Sequence, residues 1–202
     1  MALPQTFFAR RSSHVLNQPQ NPTMKYQSIS ILLAIALVSC DKNDPVESTS
    51  SSPTHSVPSS ALKAVIGATV AGEVKSIHMA RESAKPGDAI TVTGRVMGAQ
   101  NPFVEGRAAF ILGDPALLTP CNERPDDHCQ TPWDNCCDSK ENKKRGTATI
   151  QIVDAEGRVL KEPIEGVEGI AKLSRLVVSG TVATGSTPDL LIINATAIDS
   201  AP

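Results

Sequence analysis

The chain of 202 residues is long enough for one domain with appendages or for two small domains. Hydrophobic residues make up 40% of the chain but aromatic residues only 3%, so its core must be built from Val, Ile, Leu and Ala. All 21 acidic residues follow Cys40, but only 16 of the 19 basic residues do, so the chain after Cys40 has a net charge of −5. A net negative charge disfavours binding to the phosphates of nucleic acids.

The stretch from Met24 to Cys40, MKYQSISILLAIALVSC, is typical of a secretory signal. Lys25 precedes an apolar run over 29–38. As a helix this run would be about 15 Å long, which is half the thickness of a bilayer core, so it does not predict a transmembrane anchor. It fits the hydrophobic region of a signal peptide.

The end of this run, Leu37-Val38-Ser39-Cys40, resembles the lipobox of bacterial lipoproteins at every position. The resemblance implies a signal peptide over 1–39, with Met24 as the true start, and lipidation of Cys40 with palmitate. Residues 40–60 are dominated by Ser, Pro, Thr and Asp, which predicts a disordered, lipid-anchored linker. We therefore expect a protein of the cell envelope that faces the periplasm, on either the inner or the outer membrane.

Short apolar segments separated by turn signals predict strands in the rest of the chain. The segment AITVTGRV alternates with period two and places Ile90, Val92 and Val96 on one face. PIEGVEGIAKLS has apolar residues at helical spacing and predicts one or two helical turns before the fourth strand, although its glycines weaken a helix. Residues 61–87 predict an extra strand or helix that packs on this body. The predicted strands are AITVTGRV (89–96), RAAFILGD (107–114), TATIQIVDAEGRVL (147–160), RLVVSGTV (175–182) and DLLIINATAI (189–198).

Five strands with a short helix before the fourth is the element order of an OB-fold barrel. The phrases AITVTGRVMG, AAFILGD, RLVVSGTV and LLIINATAI resemble the V-x-G-x-V, F-x-L-x-D, V-x-V-x-G-x-V and L-x-I-x-A phrases of the OB-fold anticodon-binding and related bacterial families. The resemblance covers about 88–200. It implies an all-β fold with a five-stranded Greek-key barrel over 88–202, interrupted by a cysteine-rich loop over 115–146.

Many OB folds bind single-stranded nucleic acid by stacking bases on aromatic side chains and following the phosphates with basic ones. This domain offers only Phe103, Phe110 and Trp133, together with the short cluster Lys143-Lys144-Arg145. We therefore do not expect nucleic acid as a partner.

The loop contains the sequence CNERPDDHCQTPWDNCCD, residues 121–138, which holds four of the five cysteines. Its C-x7-C-x6-C-C spacing differs from that of zinc ribbons and fingers, and it lacks the C-x-x-C of thioredoxin-like sites. If Cys40 is lipidated, an even set of four cysteines remains in an oxidising compartment, which favours disulfides. Because adjacent cysteines rarely bond each other, we expect Cys121 and Cys129 to pair with Cys136 and Cys137 in one order or the other. The alternative is a metal site formed by Cys121, His128, Cys129, Cys136 and Cys137.

The sequence contains no GxSxG, HExxH, Walker or GxGxxG motif. The favoured hypothesis is a non-catalytic binding or interaction module without a cofactor, whose partner is an envelope protein or a small ligand. The alternative is a metal-dependent or thiol-based enzyme, or a metal-binding protein, centred on residues 121–138.

Overall fold

The computed structural model describes residues 57–126 and 128–201. The predicted signal peptide (1–39), Cys40 and the predicted linker up to residue 56 lie outside the described residues. None of the described helices is long and apolar enough to span a membrane. The elements in chain order are α1 (Ser60–Val65), β1 (Lys75–Ser76), α2 (Ile77–Ser83), β2 (Ala89–Val96), β3 (Ala109–Gly113), α3 (Lys140–Gly146), β4 (Thr147–Gln151), β5 (Arg175–Val182) and β6 (Leu191–Ser200).

Strands β2 to β6 form a closed barrel in the order β2-β3-β4-β6-β5, in which β5 returns to pair with β2. The pairing of β4 with β6 is parallel, and every other pairing between these five strands is antiparallel. The predicted all-β, five-stranded OB-like barrel is therefore confirmed. The two-residue strand β1 adds to β2 in parallel outside the barrel.

The barrel core is aliphatic, as the composition requires. Phe110 is fully buried, and it is surrounded by buried aliphatic side chains from every barrel strand. Each such side chain contributes about 1.5–3 kcal/mol through its removal from water. The other members include Val92, Val96, Leu112, Ile150, Leu176, Val178, Ile193 and Ile198.

Glycines in two of the family-like phrases allow backbone to approach backbone inside the barrel wall. A Cβ on Gly180 would lie 2.2 Å from the carbonyl oxygen of Asn194 on β6, and the register of β5 and β6 shifts between Ser179 and Gly180. A Cβ on Gly94 would lie 2.8 Å from the carbonyl oxygen of Gly113. The bend or bulge expected from a glycine in a strand is thus present at β5.

The segment before β2 contains both of the alternatives that its sequence predicts. Helix α1 packs against the barrel through the fully buried Leu62, and the following Ile66 forms a β-bridge with Ile198. Strand β1 and helix α2 follow, and Ile77 on α2 is also fully buried.

Of the one or two helical turns predicted before the fourth barrel strand, one is present. The structure has a single 3₁₀ turn there, Val167–Gly169. Gly166 and Gly169 adopt left-handed backbone conformations, with φ of 88° and 84°, and an α-helix cannot continue through such residues. Ile164 and Ile170 are buried nonetheless, so the helical spacing of the apolar residues reflects packing rather than a helix.

We expect Gly180→Ala to lower the free energy of unfolding by about 1–3 kcal/mol, because the added methyl group overlaps a backbone carbonyl that cannot turn away without breaking the β5–β6 pairing. Urea unfolding of the purified protein measures this change.

Gly185→Ala is the matched control, since its new Cβ would meet only the Cδ1 atom of Ile192 at 3.7 Å. That variant should stay within about 0.5 kcal/mol of the unsubstituted protein. Equal stability of the two variants would contradict the role given to Gly180.

Candidate functional site

The cysteine-rich segment lies between β3 and β4, where the sequence predicted it. Its two ends are joined by a hydrogen bond from the Asp114 N–H to the Gly146 carbonyl (2.7 Å). Within it, Leu118 is buried, and together with Met97 it lies over Gly113 at the end of β3. These contacts hold both ends of the segment against the barrel.

His78 connects helix α2 to the start of this segment. Its backbone N–H donates to Oδ2 of the buried Asp114 (2.9 Å), and its Nδ1 lies 2.8 Å from the same oxygen. Oγ of Ser76 lies 3.2 Å from that same ring nitrogen. In a catalytic Ser-His-Asp triad, serine and aspartate bond to opposite ring nitrogens, so this arrangement positions α2 and does not form a triad.

Trp133 fastens the middle of the loop to the connection between β2 and β3. Its indole N–H donates to the Gln100 carbonyl (2.9 Å), and its own carbonyl accepts from the Gly98 N–H (3.3 Å). Nζ of Lys172 lies 4.8 Å from the centre of the indole ring, within range of a cation–π contact. Trp133 is therefore engaged by the protein itself.

Backbone hydrogen bonds fold the loop back on itself at the cysteines. The Cys121 N–H donates to the Asp134 carbonyl (2.8 Å), and the Asn122 N–H donates to the Pro132 carbonyl (3.0 Å). This short ladder brings Cys121 next to the segment that carries Cys136.

An ion pair between Arg124 and Asp138 closes the same part of the loop. Oδ2 of Asp138 also accepts the Thr119 N–H (3.0 Å), so one carboxylate connects both sides of the loop. The described residues of this loop, which is rich in Pro, Asp and Asn, are thus held by hydrogen bonds and an ion pair.

Three sulfur atoms come together as a result. The sulfurs of Cys121, Cys129 and Cys136 all lie within 4.8 Å of one another, and Cys121 and Cys136 are 3.6 Å apart. The sulfur of Cys137 lies 3.7 Å from that of Cys136. We call Cys121, Cys129 and Cys136 the thiol cluster.

These distances differ from those of the two disulfides that the sequence predicts. A disulfide requires about 2.05 Å between sulfurs, and none of the four described cysteines lies at that distance from another. Thiolates at about 2.3 Å around one tetrahedral ion would be about 3.8 Å apart. The 3.6 Å separation of Cys121 and Cys136 is close to that value, and the Cys129 sulfur lies within 4.8 Å of both.

The alternative metal set of the sequence analysis is only partly assembled. Among the described residues, the group whose ligand atoms lie within range of a common ion consists of Cys121, Cys129 and Cys136. Cys137 is adjacent to this group through Cys136, whereas His128 is exposed and is not a member of it.

The environment of the thiol cluster separates the pKa values of its members. Oγ of Thr131 lies 3.3 Å from the Cys129 sulfur, and this hydrogen bond, together with one from the Thr131 backbone, lowers the pKa of Cys129. For Cys136, the hydrogen bond with Cys121 lowers the pKa, but the contacts with Cys137 and Cys129 and partial burial outweigh it, so the pKa of Cys136 is raised.

Asn135 is a site residue that the sequence analysis missed. It is fully buried, and neither its carboxamide nitrogen nor its carboxamide oxygen has a hydrogen-bond partner among the described residues. Leaving such a group unbonded costs about 1–3 kcal/mol. In sequence, an Asn in a loop rich in Asp and Pro looks like an ordinary turn residue, so no local signal marks it.

The basic cluster Lys143-Lys144-Arg145 on α3 is engaged in contacts within the protein. Nζ of Lys143 donates to the Cys136 carbonyl (2.9 Å), Lys144 pairs with Asp189 (2.5 Å), and Arg145 lies 3.8 Å from Glu82. Of the aromatic residues predicted for the domain, Phe103 and Phe110 are buried.

The chain matches no protein-family model, no curated protein and no solved structure. The barrel is identified by its strand order, and the thiol cluster by its geometry.

We expect Cys129 to react with iodoacetamide before Cys136 in reduced, metal-free protein at neutral pH. The thiolate is the reacting form, and the hydrogen bonds from Thr131 favour it at Cys129, although Cys136 is the more exposed residue. Timed alkylation with peptide mass spectrometry gives the order.

Thr131→Val should slow the alkylation of Cys129. The matched control is Thr181→Val on β5, away from the loop, which should leave that rate unchanged. If Cys136 is modified first in the unsubstituted protein, the proposed effect of Thr131 is refuted.

Proposed function

We propose that this chain binds a thiophilic metal ion, Zn²⁺ or Cu⁺, through Cys121, Cys129 and Cys136, as a non-catalytic module of the bacterial cell envelope. The observation that carries the proposal is the thiol cluster, with three sulfurs within 4.8 Å of one another on a hydrogen-bonded loop. Cysteine sulfur is the ligand that these two ions share and that hard cations avoid.

The scaffold of the loop supports this function because it holds the sulfurs together before an ion arrives. The backbone ladder at Cys121 and the ion pair between Arg124 and Asp138 have already ordered the loop. Less conformational entropy is then lost on binding, which strengthens affinity. A fourth ligand would come from outside the chain.

The envelope location is part of the proposal and depends on the lipobox that ends at Cys40. The described residues supply a fitting attachment point for a tether. The Ser59 N–H donates to Glu162 (2.9 Å), its hydroxyl bonds to the same carboxylate, and Leu62 one turn later is fully buried.

A second candidate is the disulfide-stapled interaction module, whose partner would be another envelope protein or a small ligand. The contact between Cys121 and Cys136 favours it, since a thiol oxidant of the periplasm would take two electrons and two protons from this pair with only a small movement from their 3.6 Å separation. The remaining pair would be Cys129 and Cys137. A closed loop of about 15 residues would stabilise the fold by roughly 3 kcal/mol in the chain-entropy model.

We expect the reduced protein to bind one equivalent of Zn²⁺ or Cu⁺. The substitution Cys121→Ser should weaken that binding at least tenfold. Cys121 is the buried member of the thiol cluster, so its loss removes the ligand that is best shielded from water. Elemental analysis after gel filtration, followed by competition with a chelator, gives the stoichiometry and affinity.

His128→Ala is the matched control, because His128 lies beside Cys129 in the chain but outside the thiol cluster. This variant should still bind one full equivalent of the metal ion. Absence of any bound ion in the reduced protein, together with two disulfides in protein isolated from the periplasm, would favour the second candidate.

We expect Cys40→Ser to abolish incorporation of labelled palmitate in the bacterial host and to leave the signal peptide uncleaved, because lipid attachment to this sulfur precedes cleavage in lipoproteins. Autoradiography and the mass of the product measure both effects. Cys129→Ser is the control and should label normally. Full labelling of Cys40→Ser would refute the lipid anchor.

A further inference from the structure

We infer that Cys137 is an exchange ligand, through which the ion held by the thiol cluster passes to an acceptor protein that offers thiolate ligands. This inference rests on the proposed function and deepens it: the site would be a carrier of the ion rather than a structural metal centre.

The first observation is a gradient of burial across the four cysteines. Cys121 is 2% exposed, Cys129 is half-buried, and Cys136 and Cys137 are exposed. Structural zinc sites use four protein ligands and are closed to solvent. Here one side of the site is anchored in the protein and the other side faces solvent.

The second observation is the position of Cys137. Its sulfur lies 3.7 Å from that of Cys136, which is about the distance between two thiolates on one ion. Cys137 is not within range of all three members of the thiol cluster, since the group with mutual separations within 4.8 Å contains Cys136 but not Cys137. The Cys137 sulfur therefore lies beside one member of the cluster, Cys136, with which it would compete for the ion, and the cluster assembles without it.

The third observation is that hydrogen bonds hold the backbone around the two exposed cysteines, Cys136 and Cys137. Nζ of Lys143 donates to the Cys136 carbonyl (2.9 Å), and the Asp138 N–H donates to the Asn135 carbonyl (3.0 Å). These bonds fix the backbone on both sides of the Cys136–Cys137 pair. Both sulfurs can then exchange at the ion while the main chain stays in place.

The exchange conserves charge and electrons. On a bound ion, the Cys137 thiol would give up its proton as its sulfur replaced that of Cys136, and the released Cys136 thiolate would take up a proton. Thiolates of the acceptor would then replace Cys137, Cys129 and Cys121 in turn, and each released sulfur would take up the proton that an incoming acceptor thiol had given up. Nothing is oxidised or reduced, so the step needs no further reactant.

The test measures how fast a chromogenic chelator, pyridylazoresorcinol, removes Zn²⁺ from the reduced, zinc-loaded protein. We expect Cys137→Ser to retain one equivalent of Zn²⁺ with an affinity within about threefold, and to release it about tenfold more slowly. Cys137→His should restore the rate, because imidazole is also a zinc ligand. Circular dichroism of each variant checks that the barrel is folded.

Two results would overturn the inference while leaving the proposed function intact. One is release from Cys137→Ser at the rate of the unsubstituted protein. The other is loss of the bound equivalent in Cys137→Ser, which would make Cys137 a permanent fourth ligand. Absence of Zn²⁺ and Cu⁺ from the unsubstituted, reduced protein would overturn the proposed function itself, and the inference with it.

Discussion

The structure depends on the closure of the barrel by β2 and β5. These strands pair over seven residues, from Ala89 opposite Thr181 to Arg95 opposite Arg175. Without this pairing β2 and β5 would be free edges, and the aliphatic core would lose the wall that shields Val92 and Val178 from water. Closure also requires β6 to approach β5 at Gly180, where only a residue without a side chain fits.

A closed barrel fixes the ends of β3 and β4, and these ends carry the cysteine-rich segment. The hydrogen bond between Asp114 and Gly146 sets the width of the loop at its base, while Trp133 attaches its middle to the β2–β3 connection. The loop has few apolar side chains, so its order comes from these attachments and from its own backbone ladder. The thiol cluster is a consequence of that order: its sulfurs meet because the chain around them is held by the barrel.

The sequence predicted much of this fold correctly. Strands β2 and β5 match the predicted segments 89–96 and 175–182 residue for residue, because period-two alternation and flanking turn residues define both. Before β5, the spacing of Ile164 and Ile170 predicted one or two helical turns. The chain forms a single 3₁₀ turn there, because Gly166 and Gly169 adopt left-handed conformations that prevent a longer helix. The expectation of disulfides followed from an even set of four cysteines in an oxidising compartment, and the hydrogen bonds that order the loop are not visible in its spacing.

The sequence by itself determined the alternating strands, their order, the aliphatic nature of the core and the place of the cysteine-rich loop between the second and third barrel strands. These features are encoded locally, by side-chain period and by turn residues. Only the tertiary structure decided that Cys121 meets Cys136, that His128 stays outside the cluster and that Asn135 is buried. Contacts between segments far apart in the chain set these distances, such as those of Trp133 with Gln100 and of His78 with Asp114. A linear spacing of residues cannot specify them, because the same spacing fits many loop paths until the barrel selects one.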